Sequence, residues 1–336
     1  MLLDVYPNLL ELGLACCALI VRNADNTRTR PELIAYRRQV GQKLAGFWKN
    51  RSISTHPAIR EYHRVHEQFG VIGQAPAPEK LITYVRRQRD LTATSALVDC
   101  YNLVSVRTLL SIGAHDLKKL VTPITLRPCT PADTYTPLGG GEELPLAGEY
   151  AYIDPQNRVI CRLETLQGDY SKVTPESRDV VFFLQGNRCL PAASLLKGAW
   201  LLAELLEKFC GGKAELESFH DASANPGSSL NKPTSTVEVF KQMNARVGTV
   251  VAVDPLATLP ALSKIRVRLD SEVEALALTS TIPEGATGRR VLVITDLHPL
   301  AIAGDSYGAY VPAVCSESGG EIPEIVSAIP DGKRLY

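Results

Sequence analysis

The chain has 336 residues, too many for one comfortable hydrophobic core, so two domains are expected. Hydrophobic residues make up 45% and charged ones 21%, which excludes disorder over most of the length. Net charge is zero, so no global excess of positive charge announces a nucleic-acid partner, although the first hundred residues hold 14 Lys/Arg against 9 Asp/Glu. The eight cysteines show no C-x-x-C spacing, which argues against a zinc knuckle and leaves reduced cytosolic thiols as the simplest reading. The apolar run "LGLACCALIV" is too short to span a bilayer and follows no basic leader, so a cytoplasmic location is expected.

In chain order, "GLACCALIVRN" reads as a buried strand, and "PELIAYRRQVGQKLAGFWKN" has helical apolar spacing with Pro31 suited to a first turn. "HPAIREYHRVHEQFG", ended by Gly70, and "APEKLITYVRRQRD" predict two more helices, and "VDCYNLVSVRTLLSIGAHDLKKL" (98–120) opens as a fourth. The pattern turns β-like in "ITLRPCTP", in "EYAYIDPQNRVICRL" with its hairpin around Asp154–Asn157, and in "DVVFFLQG". "AASLLKGAWLLAELLEKFCGG" is an amphipathic helix with a glycine stop. These elements make an α+β module over about residues 1–214. The stretch "SFHDASANPGSSLNKPTST" has no periodicity and predicts a linker, placed at 215–235. Beyond it, residues 236–336 carry short β-rich runs that fit a small all-β barrel of the oligonucleotide-binding (OB) kind, or an SH3-like one.

Asp99, Asn102 and Ser105 recur every three residues, so they lie along one side of the fourth helix. Buried polar groups need partners, so the stripe marks either a polar pocket or bonds to neighbouring backbone. His115 and Asp116 follow at the helix exit, where a His beside an acid is a candidate proton-transfer pair. "TPLGGGEE" (136–143) lacks the lysine and helix of a phosphate loop, so a structural turn is the expected use. His63 and His66 share a helical face with His56 nearby, but no third ligand is close in sequence, and no metal is expected. No G-x-G-x-x-G occurs, and no cofactor is implied. In "SKIRVRL" strict alternation puts Lys264, Arg266 and Arg268 on one face. That face either neutralises phosphates or is a solvated surface balanced by Asp270, Glu272 and Glu274. Arg246, Arg289 and Arg290 would extend it.

The 98–120 stretch resembles the editing module (the B3/B4 domain) of the bacterial phenylalanyl-tRNA synthetase beta chain, matching it without a gap at Val98, Asp99, Asn102, Val104, Ala114, Asp116, Leu117, Lys119 and Leu120. The likeness is closer to free-standing relatives of that module, whose features recur in order as "IREYHRVHEQFG", "LVDCYNLVSVRTLLSIGAHDL", "TPLGGGEE", "VICR" and "SKVTPESRDVVFFLQG". The C-terminal region resembles tRNA-binding OB domains in "ARVGTVVAVD", "GRRVLVITDLHP" and "AIAGDSYGAYVPA".

The resemblance implies a mixed α/β editing module fused to an OB barrel, with tRNA and aminoacyl-tRNA as partners and no DNA or membrane. The implied reaction is hydrolysis of the ester of a mischarged aminoacyl-tRNA. The family's pocket Thr corresponds to Tyr101, its Asn is retained as Asn102, and its His falls on Gly113, two residues before His115. Its Glu falls on Phe183, with Gln185 close by. Asn102 and His115 are thus the expected catalytic residues, and Asp99, Tyr101, Ser105, Gly113, Arg162, Phe183 and Gln185 the expected pocket, with Arg162 at the terminal ribose or phosphate. Arg246, Lys264, Arg266, Arg268, Arg289, Arg290 and Ser306 would contact RNA. Stand-alone barrels of this kind commonly pair, so a homodimer through the barrel is expected. Two other readings fit the same residues: a non-catalytic tRNA-binding or synthetase-associated protein, and an amino-acid-binding sensor.

Overall fold

The computed structural model describes residues 2–27, 29–141, 148–190, 192–221, 244–259, 262–270, 273–279, 285–312, 314–316, 319–321, 331 and 334–335. β1 (Leu3–Val5) and α1 (Pro7–Glu11) lead into the buried strand β2 (Ala15–Arg22). Three helices follow, α2 (Pro31–Phe47), α3 (Pro57–Gln68) and α4 (Ala77–Gln88). Proline opens α2 and α3 because its missing N–H falls where a helix has no carbonyl to bond. In α3 the His56 imidazole adds a cap, accepting from Ala58 N at 3.2 Å.

α5 (Ala96–Thr108) is shorter than its sequence suggests. Leu109 takes a left-handed conformation (φ +62°) that stops it, and Ser105 Oγ donates to Leu110 O at 2.7 Å just beyond. The residues that looked like the helix exit instead form strand β3 (Ser111–Asp116). Next come β4 (Ile124–Pro128), β5 (Tyr150–Ile153), β6 (Val159–Arg162), β7 (Leu166–Gln167) and β8 (Val180–Gly186), then α6 (Ala192–Cys210) and β9 (Lys213–His220). β9 pairs with β2, so residues 215–220 belong to the sheet rather than to the expected linker, while 222–235 lie outside the described residues.

The module has three layers. A central sheet contains β9-β2-β8-β3, and a second sheet runs β1-β4-β5-β6-β7. Alternation along the strands separates two cores. Cys17, Leu19, Val21, Phe182 and Leu184 face α5 and α6, whereas Cys16, Ala18, Ile20, Val181 and Phe183 face Tyr150, Tyr152, Ile160 and Cys161 of the second sheet.

The C-terminal strands are β10 (Asn244–Pro255), β11 (Ser263–Arg268), β12 (Glu274–Thr279), β13 (Arg290–Thr295), β14 (Leu300–Ile302), β15 (Asp305–Tyr307), β16 (Ala309–Tyr310), β17 (Val314–Ser316), β18 (Gly319–Glu321) and β19 (Arg334–Leu335). The ring β10-β11-β12-β16-β13 closes on β10, with only the β12–β16 pair parallel: a five-stranded Greek-key barrel of the OB kind. Gly248 serves this closure, since a Cβ there would stand 2.4 Å from Val267 Cγ1 and 3.1 Å from Arg268 O. Gly248→Ala is therefore expected to cost about 1–3 kcal/mol, seen as a lower urea midpoint. An unchanged midpoint would mean that the two strands do not approach so closely.

The barrel is joined to the first module by shared core. The β14–β15 hairpin, inserted between β13 and β16, extends the central sheet: β14 pairs with β9 in parallel at Ala301 and Glu215. Leu300, Ile302, Tyr307 and Tyr310 pack in one apolar core with α6, and the Trp200 indole donates to Tyr307 O at 3.2 Å.

Candidate active site between the two sheets

A small cavity lies between the central and second sheets, lined by Ser111, Gly113, His115, Tyr152, Cys161, Glu164, Phe183 and Gln185. Its volume is about 10 Å3, roughly the room for one water. Four of these residues, Gly113, His115, Phe183 and Gln185, are among those expected from the sequence.

The strand register explains why they meet. β3 and β8 run antiparallel with Gly113 opposite Phe183, so the two positions where the resemblance places the His and Glu face each other across the ladder. In this chain the imidazole and the amide each sit two residues along. A strand repeats every two residues, so a shift of two keeps a side chain on the same face. His115 and Gln185 therefore flank the Gly113–Phe183 pair from opposite ends and still line the cavity. A Cβ on Gly113 would lie 3.4 Å from His115 Nε2, so the absent side chain leaves that nitrogen its space.

His115, beside Asp116 in sequence, bonds a different partner from it. Burial lowers its pKa to about 3, so the imidazole stays neutral at physiological pH and is too weak a base. Nδ1 is paired with Ser171 Oγ at 2.8 Å. Asp116 points elsewhere and accepts from Ser177 Oγ at 2.6 Å. The stability sign follows from these facts. The unfolded imidazole protonates near pH 6.5 and the folded one does not, so stability is lost as pH falls from about 6.5 towards 3, by about 1.4 kcal/mol per pH unit. His115→Gln should flatten the slope of unfolding free energy between pH 6.5 and 5, and an equal slope in both proteins would refute the buried neutral state.

Glu164 organises the rest of the site, and the sequence reading missed it. It lies in the three-residue connection between β6 and β7, where Leu163 and Glu164, both at left-handed φ (+47° and +50°), are the central pair of a β-turn closed by Thr165 N to Arg162 O at 3.1 Å. Left-handed backbone costs about 1–2 kcal/mol for a residue with a Cβ, and here it directs a carboxylate into the protein. Glu164 accepts from Tyr150 OH and pairs with His66 Nε2 at 3.1 Å, with both partners buried. Burial alone would lower the His66 pKa, but the Glu164 charge and hydrogen bond, with the Gln74 carbonyl, raise it overall. Gln185 bridges the cluster: Tyr152 OH donates to its Oε1 at 2.7 Å, and its Nε2 reaches Tyr150 OH at 3.2 Å and Glu164 Oε2 at 3.4 Å. Ser111 Oγ donates to Glu164 O at 2.6 Å, which anchors the turn to β3.

The structure separates the helix residues from this cavity. α5 packs on the opposite face of the central sheet, so Asp99, Tyr101, Asn102 and Ser105 stand behind the sheet rather than in the pocket. Asp99 accepts from Thr94 N at 3.1 Å and from Arg37 Nη1 at 2.7 Å, a buried pair that straps α2 to α5. Burial pushes its carboxyl up despite those bonds. Tyr101 packs edge-on near Phe182, on that same face. Arg162 is also outside the cavity: its guanidinium is held by buried Glu149 and lies 5.0 Å over the Tyr135 ring. The three histidines of this segment each have a partner, His63 with Glu79 at 2.7 Å, His66 with Glu164 and His56 as a cap. Gly139–Gly141 form a turn at positive φ, pinned by Gly139 N to Asp169 Oδ1 at 2.7 Å, and Glu142 and Glu143 lie outside the described residues.

On the barrel, β11 alternates as expected, with Ile265 and Val267 buried and Arg266 and Arg268 exposed. Lys264 is paired with Asp305 at 2.9 Å, and Arg290 lies 3.4 Å from Asp331. Arg246, on β10, is half-buried, and Arg289 lies just before β13. Ser306 is exposed on β15. Its surroundings, Gly304-Asp305-Ser306-Tyr307-Gly308, have the G-x-S-x-G spacing of a hydrolase elbow, but they form a strand hairpin with no helix after the serine.

A B3/4 domain profile matches residues 67–189, which contain every residue lining the cavity. A methionine–tRNA ligase of Chlorobium chlorochromatii (strain CaD3) is 31% identical over 121 residues, 35% of this chain, and the chain spans 17% of that relative's length. Among solved structures, an N-terminal fragment of the phenylalanyl-tRNA synthetase beta-subunit from Pyrococcus horikoshii aligns with 63% of this chain and 50% of its own, at 14% identity and TM-score 0.36. A MetRS related protein from Pyrococcus horikoshii aligns with 31% of this chain and 99% of its own, at 20% identity and TM-score 0.27. The described helices include none long and apolar enough to cross a membrane. The chain carries a B3/4 domain, matched over residues 67–189 and containing the cavity's lining residues, followed by a closed five-stranded barrel.

Proposed function

We propose that this protein is a tRNA-directed aminoacyl-ester hydrolase, with the ester cleaved at the cavity of the first module and the RNA body held by the barrel. The observation that carries the reading is a cavity of about one water, faced by a neutral imidazole, an oriented amide and a buried carboxylate. Such a water is positioned before the substrate arrives, which is where much of the rate of an already activated ester originates. Its oxygen attacks the ester carbonyl, the bond from that carbon to the ribose oxygen breaks, and one of the water's protons passes by way of Glu164 to that ribose oxygen, which leaves as the hydroxyl. The Gln185 amide is held by Tyr152, and His115 is held by Ser171, so neither must reorganise. The exposed cations of β11 lie where OB barrels bind oligonucleotides, on strands two and three. The methionine–tRNA ligase relative is consistent with tRNA as partner.

One observation favours a second reading, a non-catalytic tRNA-binding protein: the cavity admits a water but not an amino acid. Incubating the protein with a panel of correctly and incorrectly charged tRNAs separates the two. Release of one class of amino acid supports the hydrolase. No release from any tRNA, with salt-sensitive tRNA binding retained, leaves the binding protein.

A further inference from the structure

The helical layer carries charge that neither the cavity nor the barrel uses. Arg38 and Lys43 on α2, Arg86 and Arg87 on α4, Arg107 on α5 and Lys197 on α6 are all exposed. The packing gathers them on neighbouring helices. Gly41 lets α2 meet the end of α4 backbone to backbone, since a Cβ there would lie 2.7 Å from Asp90 Cα and 2.8 Å from Arg89 O. Arg107 Nη1 donates to Tyr36 Oη at 2.6 Å, which ties α5 to α2. Asp90, the acid closest to this group, is engaged by Arg37 at 3.1 Å and Arg38 at 3.8 Å. The exposed acids of these helices sit towards their ends: Glu32 in the first turn of α2, and Glu204 and Glu207 in the second half of α6, where Glu207 takes His298 at 2.9 Å.

Two of the cations crowd each other. Lys197 is lowered from the usual lysine value, first by the protein around it and then by the Arg107 charge. Like charges held near each other repel, and a polyanion laid across them relieves that repulsion. Lys197 also lies one turn before Trp200, whose indole bonds the barrel at Tyr307. The cations of the helical layer therefore end at the joint between the modules, beside the strands that lead through β16 and β12 to β11.

We infer that the exposed face of α2, α4, α5 and α6 is a second phosphate-binding surface, which holds the RNA backbone together with the barrel and without base readout. The inference rests on the proposal that tRNA is the partner. It accounts for the basic bias of the first hundred residues in a chain of zero net charge. Contacts of this kind are electrostatic, so each adds to the salt dependence of binding.

The test is the affinity of the full chain for an uncharged tRNA across a range of salt concentrations, by fluorescence anisotropy, with melting temperature as the control for folding. Arg38→Gln/Lys43→Gln/Arg87→Gln should weaken binding at least 10-fold at low salt and reduce the slope of log affinity against log salt by about 2–3. Arg86→Gln/Arg107→Gln is the second variant, expected to reduce the slope by about 1–2. Arg266→Gln/Arg268→Gln should weaken binding independently of either. If the wild type binds tRNA and both helical variants keep its affinity and slope, the inference fails and the proposed function stands. If the wild type binds no tRNA, the proposed function fails first. Unchanged tRNA binding with lost adsorption to vesicles of anionic phospholipid would overturn the inference in favour of a membrane surface.

Discussion

Glu164→Leu is expected to lower the stability of the protein by about 3–5 kcal/mol. The substitution removes the acceptor for Tyr150 OH, the pair with His66 and a contact of Gln185 Nε2, and the cluster is too buried for water to replace them all. It also leaves His66 charged without a partner, so burial drives that imidazole neutral. Glu164→Gln keeps the shape and part of the hydrogen bonding and should cost less. The measurement is urea unfolding of the three proteins at pH 6. There the folded imidazole is protonated, because its pKa is raised, and the stabilisation it contributes is lost as pH climbs through that raised value. Equal midpoints for wild type and Glu164→Leu would show that the pair carries none of the stability of the inter-sheet core.

Trp200→Ala should have an effect of similar size, about 3–5 kcal/mol, for a different reason. Trp200 is buried on α6 with its ring against Tyr310 and its indole N–H on Tyr307 O. Around it Leu300, Ile302, Tyr307 and Tyr310 of the barrel segment share the core of the first module. Removing the indole opens a cavity at the joint and leaves a carbonyl unpaired. Calorimetry should resolve one cooperative transition for the wild type and two for Trp200→Ala, the lower belonging to the barrel. A single transition with unchanged midpoint would mean that the modules do not stabilise each other through α6.

Much of this organisation was legible in the sequence, because the signals were local. Apolar periodicity located α2, α3, α4 and α6, alternation located β11, short β-rich runs located β10 and β13, and turn residues located the β5–β6 hairpin. What escaped depends on pairing between distant segments. The stretch 111–116 is a strand because β8 lies beside it, about seventy residues on, and nothing within "SIGAHD" separates that from a frayed helix end. β9 alternates charged and apolar residues but was read with the linker, since its partner β2 lies at the other end of the module. The same limit grouped residues that the structure separates. Position-by-position resemblance favoured Asn102, whereas the face of the central sheet decides what meets the cavity, and α5 is on the other face. Glu164 left one local signal: Leu-Glu stands at the centre of a tight turn between two strands, at left-handed φ that Asn-Gly would adopt without strain.

The proposed hydrolysis belongs to the inter-sheet cavity and not to the α5 stripe. The direct measurement is the deacylation rate of the released class of mischarged tRNA by wild type, Asn102→Ala, His115→Ala and Gln185→Ala, each checked by its melting curve. Asn102→Ala should keep a rate within a factor of about 3 of wild type, and His115→Ala and Gln185→Ala should fall by about 100-fold or more. Loss of activity in Asn102→Ala, with His115→Ala and Gln185→Ala still active, would contradict it.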